Sequence, residues 1–175
     1  MRWTLMAWLL LAALAPGKAA AQALWEGSRF GMSQAQVAGL FPQAHPPADP
    51  DQLAGGEHEA LRIEQVELAG LPFRASFFFS GHTLFQVMLQ LDEASARREG
   101  ERAFDAVAAL LRQRHGREAV AEDDAQPFPR RRLEWSVDGA RVKLFYARFG
   151  QEPLLNLIYQ VRPPDAPPGP RLRSH

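Results

Sequence analysis

The side chains best suited to chemistry lie in two polar segments. His45 and the run Glu57-His58-Glu59 place two imidazoles and two carboxylates in one segment that is rich in glycine and proline. A bound metal needs three or four ligands in a fixed geometry, which such a segment does not supply by itself. We therefore predict no metal site and interpret these residues as solvated.

A second segment, Glu122-Asp123-Asp124, offers three adjacent carboxylates. A pair of carboxylates can hydrolyse glycosidic bonds, but this depends on the distance between the two groups in the folded protein and not on their spacing in the sequence. The sequence contains no Gly-x-Ser-x-Gly elbow, Walker phosphate loop or Gly-x-Gly-x-x-Gly fingerprint. We predict no catalytic residue and no cofactor. A hydrolase whose histidines and carboxylates converge in space stays as the alternative.

Composition excludes further classes of protein. The 175 residues include 20 Lys and Arg against 20 Asp and Glu, and no cysteine. Without cysteine there is no disulfide, thiolate zinc site or cysteine nucleophile. A balanced charge offers no strong basic field, so we expect no nucleic-acid partner. The 46% hydrophobic content suits one globular domain.

The N-terminus has the pattern of a secretory signal peptide. Arg2 precedes an apolar run over 3–15, and small residues follow, with cleavage predicted after Ala21 or Ala23. The run is shorter than the ~20 residues that a membrane-spanning helix needs. We predict a periplasmic or secreted protein with no transmembrane segment in residues 22–175, where Lys143 is the only lysine.

The first helix is predicted over 34–41. Ser33 and Gln36 have the spacing of a capping box, with Met32 and Val37 placed as a hydrophobic staple. The helix should stop before Pro42, because a residue that precedes proline resists the α conformation. A loop is predicted over 43–59.

A three-stranded meander follows that loop. Leu61 and Ile63 share one face of its first strand, and the apolar phase then shifts to Val66 and Leu68, which predicts a β-bulge. Two further alternating strands end near residue 91. A helix is predicted over 96–115 from its apolar stripe, and a second loop over 117–131.

Three more strands are predicted after the second loop, with a hairpin turn at Asp138-Gly139. The order helix, loop and three strands thus occurs twice, and Gly70 matches Gly139 at a shift of 69 residues. We predict an α+β domain over 22–162, built from a duplicated α-β-β-β unit (24–91 and 92–162) with both helices on one sheet face. A proline-rich tail over 163–175 should be disordered.

Aromatic and basic residues supply the candidate binding site. Phe78 and Phe145 fall on the strand face opposite the core, so an uncovered sheet would expose them as an apolar patch. Trp25 either packs on the core or docks a partner. Arg130 and Arg131 form part of a rim near the acidic run over 122–124.

The stretch Phe30-Gly31-Met32-Ser33-Gln34-Ala35-Gln36-Val37 resembles the helix opening of the SmpA/BamE family of outer-membrane assembly lipoproteins. The order of elements is also similar to the tandem modules of secreted β-lactamase inhibitor proteins. This chain lacks the anchoring cysteine of the lipoproteins. The resemblance implies a small envelope module that binds another protein and has no catalytic site.

These observations favour an exported, non-catalytic protein of the bacterial envelope that binds another envelope protein or a small ligand. Two alternatives stay open. One is a periplasmic hydrolase, and the other is a secreted inhibitor or immunity protein.

Overall fold

The computed structural model describes residues 23–161. The predicted signal peptide and the predicted tail over 163–175 therefore lie outside the described residues. Within 23–161 the chain is an α+β domain with two helices and seven strands. In chain order these are α1 (Gln34–Leu40), β1 (His58–Leu68), β2 (Leu71–Ser80), β3 (Thr83–Leu91), α2 (Glu93–His115), β4 (Val120–Asp124), β5 (Arg130–Val137), β6 (Ala140–Phe149) and β7 (Glu152–Val161).

All seven strands form one antiparallel sheet in the order β1-β2-β3-β7-β6-β5-β4. Two meanders, β1–β3 and β5–β7, meet where β3 pairs with β7. The second half has one strand more than predicted. The prediction of a loop over 117–131 is wrong, because β4 forms within it and pairs with the arginine-rich start of β5.

One face of the sheet carries the core. Residues that lie opposite each other on neighbouring strands share a face, and one such buried row is Leu61, Phe77, Val87, Tyr159, Val142 and Trp135. Both helices pack on this core face. The ring of Phe41, after α1, lies 5.1 Å from that of Phe77, and Phe104 of α2 lies 6.5 Å from Tyr146.

The start of α1 confirms the predicted capping box. Ser33 Oγ accepts a hydrogen bond of 3.3 Å from the backbone N–H of Gln36, and Gln36 Oε1 accepts one of 2.8 Å from the N–H of Ser33. The helix ends at Leu40, one residue before the predicted end, and Val37 is its buried residue.

The hairpin turns lie at equivalent places in the two meanders. Ala69 and Gly70 join β1 to β2, Asp138 and Gly139 join β5 to β6, and all four have positive φ angles, between 48° and 82°. Two successive positive φ angles define the turn that matches strand twist best. The predicted bulge is also present, as a register shift between Ile63 and Val66.

Helix α2 bends where it meets the sheet most closely. Glu99 has non-helical angles (φ −149°, ψ 25°), and the next residue, Gly100, is buried against the ring of Tyr146. A Cβ at position 100 would lie 2.9 Å from Tyr146 Cε2. Glycine thus allows the close approach of α2 to β6.

We predict that Gly100→Ala lowers the free energy of unfolding by roughly 1–3 kcal/mol, because the buried Tyr146 ring has no free space to move into. The matched control is Gly39→Ala in α1, where a Cβ meets nothing within 4 Å. That change should be neutral or stabilising by up to about 1 kcal/mol. Urea unfolding of both variants measures the difference, and equal effects at the two sites would contradict the prediction.

Candidate functional site

The face of the sheet opposite the core carries no helix among residues 23–161, because α1 and α2 both pack on the core face. We call this side, over β3, β7, β6 and β5, the open face. Several rows of side chains cross it, and two of them lie at its centre. One row is Met88, Ile158, Lys143 and Glu134, and the next is Gln90, Asn156, Phe145 and Arg132. All eight of these residues are partly exposed to solvent.

An apolar stripe runs diagonally over this side of the sheet. It consists of Phe78 on β2, Met88 on β3, Ile158 on β7 and Phe145 on β6. Met88 and Ile158 lie opposite each other. Phe78 lies opposite the residue two positions before Met88, and Phe145 lies opposite the residue two positions before Ile158. Long side chains in that diagonal relation can touch. The stripe joins the two aromatic residues predicted from sequence.

The two ends of the stripe differ in exposure. Phe145, Ile158 and Met88 are partly exposed, as expected for a binding surface. Phe78 is 0% exposed, so the prediction that it contributes to an exposed patch is wrong. Phe78 lies opposite Glu59 and outside the main core cluster, and the segment over 43–57 runs beside β1, with bridges from His45 to Arg62 and from Gln52 to His58.

A buried ion pair holds that segment in place. Arg62 donates from Nε to Glu59 Oε1 over 2.8 Å, and from Nη2 to the carbonyl of Asp49 over 3.0 Å. Glu59 Oε2 accepts from the N–H of Asp51 over 3.0 Å. Burial alone would raise the pKa of Glu59, but the hydrogen bonds from Arg62, Ser76 and Asp51 outweigh it and the pKa lies below 4.5.

Lys143 occupies the middle of the open face. It lies opposite Ile158 on one side and Glu134 on the other, and it is only partly exposed. No salt bridge joins it to another described residue. Burial lowers the pKa of Lys143 below its ordinary value of 10.5, while Glu134 opposes this shift and neighbouring arginines add to it.

Glu134 is shared among several cations. Its carboxylate lies 3.6 Å from Arg132 Nε and 3.9 Å from Arg141 Nε, and Lys143 is its cross-strand neighbour. Arg132 is also paired with Glu122 at 2.7 Å. Three cations therefore share two carboxylates, which leaves the centre of the open face with an excess of positive charge.

The candidate arginines Arg130 and Arg131 belong to a ladder of ion pairs. The register of β4 and β5 sets Asp124 opposite Arg130, Asp123 opposite Arg131 and Glu122 opposite Arg132. Arg130 pairs with Asp124 at 2.7 Å and is exposed. Each acid of the run over 122–124 thus faces an arginine across the two strands.

Side chains alternate along this ladder between the two faces. Arg130, Arg132, Glu122 and Asp124 surround a cavity of about 220 Å³ whose floor is Phe145. Arg131 points to the core face instead, where its guanidinium lies 4.2 Å from the Phe104 ring centre and 2.9 Å from Asp105. Arg130 thus borders the open face, and Arg131 does not.

Trp25 is also excluded from an exposed site. It is 6% exposed, and its ring stacks on Phe41 with 5.3 Å between centroids and 12° between planes. Of the two alternatives left open for Trp25, packing on the core is the observed one, so its assignment as a binding residue is wrong.

The residues considered for metal or acid–base chemistry do not converge. Within the described residues no three His, Asp or Glu side chains form a group that could hold a metal. Glu59 is committed to Arg62, and His45 is exposed, with Nδ1 3.2 Å from the carbonyl of Pro46. No helix in residues 23–161 has the length and hydrophobicity needed to cross a membrane.

A larger cavity, of about 690 Å³, lies where the first meander meets β7 and the start of α2. Phe73 and Leu91 form part of its wall, with Arg74, Glu64 and Glu93 around it. Among its charged groups, Arg74 lies 3.8 Å from Asp51, Glu64 lies 3.8 Å from Arg62, and Glu93 pairs with Arg97.

Sequence reasoning missed Met88, Ile158 and Lys143. Each alternates with core residues in its own strand, so the signal was present in the period-2 pattern. What the pattern lacks is the order of the strands, and only the pairing of β3 with β7 brings Met88 beside Ile158. No family model, curated protein or solved structure matches the chain.

We predict that Glu59→Gln lowers the free energy of unfolding by about 3–5 kcal/mol at pH 7, because it leaves the Arg62 guanidinium buried without its anion. Since the pKa of Glu59 is lowered on folding, the stabilisation is present above pH 4.5 and is lost as the pH falls through the folded-state pKa. The difference between wild type and variant should therefore shrink below pH 4.5.

The control for this variant is Glu64→Gln. Glu64 lies 3.8 Å from the same arginine, but its side chain is 54% exposed, so the change should cost at most about 1 kcal/mol. Chemical unfolding across pH 3–8 measures both. A Glu59→Gln effect as small as that of Glu64→Gln would show that the pair does not hold the loop.

We predict that Lys143→Met raises the free energy of unfolding at pH 7 by roughly 0.5–2 kcal/mol, as replacements of unfavourable charges commonly do. The lowered pKa means that the folded state disfavours the ammonium form. In the wild type, stability should therefore rise as the pH climbs from the folded-state pKa towards 10.5.

Carbon-13 labelling of lysine gives residues 22–175 a single side-chain signal, so an NMR titration reads the pKa of Lys143 directly. A pKa at or above 10.5, or a lower melting temperature for Lys143→Met, would contradict this account. Lys143→Arg is the matched control that keeps the charge and should bring no such gain.

Proposed function

We propose that this chain is an exported, non-catalytic protein of the bacterial cell envelope that binds another envelope protein through its open face. The observation that carries the proposal is the apolar stripe. Met88, Ile158 and Phe145 are partly exposed side by side on a face that no helix of residues 23–161 covers. Contiguous apolar surface of this kind is typical of a binding site.

The location in the envelope rests on the N-terminal sequence, with its apolar run and small-residue cleavage pattern. The helix opening over 30–37 supports it further, because this is the stretch that resembles the SmpA/BamE family. In the described residues, the ion pairs that neutralise Glu59, Glu122 and Asp124 leave little scope for acid–base catalysis. This favours binding over hydrolysis.

The internal repeat also belongs to this proposal. Shifting β2 by 69 residues gives the bounds of β6, and shifting β3 gives the range over 152–160, which is all but the last residue of β7. Gly81 and Gly150, both with positive φ, match at the same shift. We propose that the two meanders derive from one duplicated unit, with β4 and the longer α2 specific to the second copy.

The binding proposal is tested by capture of envelope proteins on the immobilised tagged chain, with Phe145→Asp and Ile158→Asp as variants. Each places a charge in the stripe and should reduce the captured partner at least tenfold. Leu40→Asp is the matched control, since Leu40 is 43% exposed on α1, on the other side of the sheet. Circular dichroism verifies that all three variants fold.

If all three variants keep a stoichiometric partner, the binding surface lies elsewhere. If the wild type captures no stoichiometric partner, a protein-binding role through the open face is excluded, and substrate screens for the hydrolase alternative come next.

A further inference from the structure

Any partner that covers the open face has to accommodate the positive charge of Lys143. It lies between Ile158 and Glu134 in the middle of that face. Phe145 is two residues further along the same strand, β6, and on the same face. A partner that contacts both Ile158 and Phe145 therefore also meets Lys143, which is the neighbour of both. Covering removes water from a cation, which is strongly unfavourable unless the partner supplies an opposite charge.

Among residues 23–161 no salt bridge supplies that charge to Lys143. Glu134, the nearest acidic neighbour in the register, is already shared between Arg132 at 3.6 Å and Arg141 at 3.9 Å. Glu122 is taken up by Arg132. The positive excess at the centre of the face has to be balanced from outside when the surface is covered.

The size of the face favours a short segment as the occupant. Four strands spaced about 4.8 Å apart, with about 20 Å of each strand available, give roughly 400 Å². A stable dimer of two copies needs about 800 Å² on each partner. The open face is thus too small to be the whole of a self-association interface, but it is large enough for one helix or one extended stretch.

We propose that the protein partner docks a short segment along the apolar stripe and places an Asp or Glu carboxylate against Lys143, with apolar side chains on either side of it. This inference rests on the proposed function and names the chemistry of the partner. The apolar contacts with Met88, Ile158 and Phe145 provide affinity. The ion pair with Lys143 selects segments that carry an acid at the right position.

The single lysine of residues 22–175 makes the test direct. A carbodiimide activates carboxylates and joins them to amines without a spacer. On the side of this chain, residues 22–175 offer only the amine of Lys143 and the terminal amine. Applied to the captured complex, it should form an amide between Lys143 and an Asp or Glu of the partner. Peptide mass spectrometry should place apolar residues beside that acid.

Three variants distinguish the possible outcomes. Lys143→Arg keeps the charge, so it should retain the partner within about threefold and lose the cross-link. Lys143→Met keeps the apolar stem and should weaken the affinity about tenfold or more, the effect of losing one charged hydrogen bond. Leu40→Asp should change neither binding nor cross-linking.

A partner that is lost on Phe145→Asp but bound equally well by Lys143→Met would overturn this inference and leave the proposed function intact. A cross-link from Lys143 only to Glu134 of the same chain in the bound complex would do the same. A wild-type chain that captures no partner overturns both proposals.

Discussion

The antiparallel pairing of β3 with β7 is the interaction on which the rest of the domain depends. It joins two meanders into one sheet and aligns Val87 with Tyr159 and Leu89 with Leu157 on the core face. Those pairs make the buried rows continuous, so both helices can pack on a single core. Without this pairing each meander would leave the edge of β3 or β7 unpaired, and an unpaired edge is a template for association with other chains.

The same pairing creates the open face. Met88 and Ile158 come from strands almost seventy residues apart, and they meet only because Leu89 and Leu157 are fixed on the opposite side. The core therefore determines which polar and apolar side chains are displayed together on the outside. A functional surface built in this way inherits the rigidity of the core beneath it.

Local features of the fold could be predicted from sequence, because the residues that produce them are adjacent. The capping box of Ser33 and Gln36 and the turn at Asp138-Gly139 each depend on a few neighbouring residues, and both form as predicted. The bulge after Ile63 was visible as a change of apolar phase. These signals require no knowledge of what lies across the sheet.

The failures involve contacts between one segment of the chain and another. β4 looked like a loop, because its acids become strand residues only through the arginines of β5. Phe78 is expected at the surface from its place in the strand pattern, but it is fully buried, beside Glu59 of the neighbouring strand. Lys143 alternates with core residues in its own strand, but its neighbours on the open face come from the two adjacent strands, β5 and β7. In each case the deciding contact lies outside the local window.

The ion pairs between β4 and β5 also affect how the edge of the sheet can meet another molecule. β4 is the outermost strand beyond β5, and an uncovered edge strand can pair with the edge of another molecule. Asp123, exposed on this five-residue strand, and its acidic neighbours would repel the same strand of a second molecule. The charges that set the register of β4 thereby also disfavour edge-to-edge pairing of two molecules.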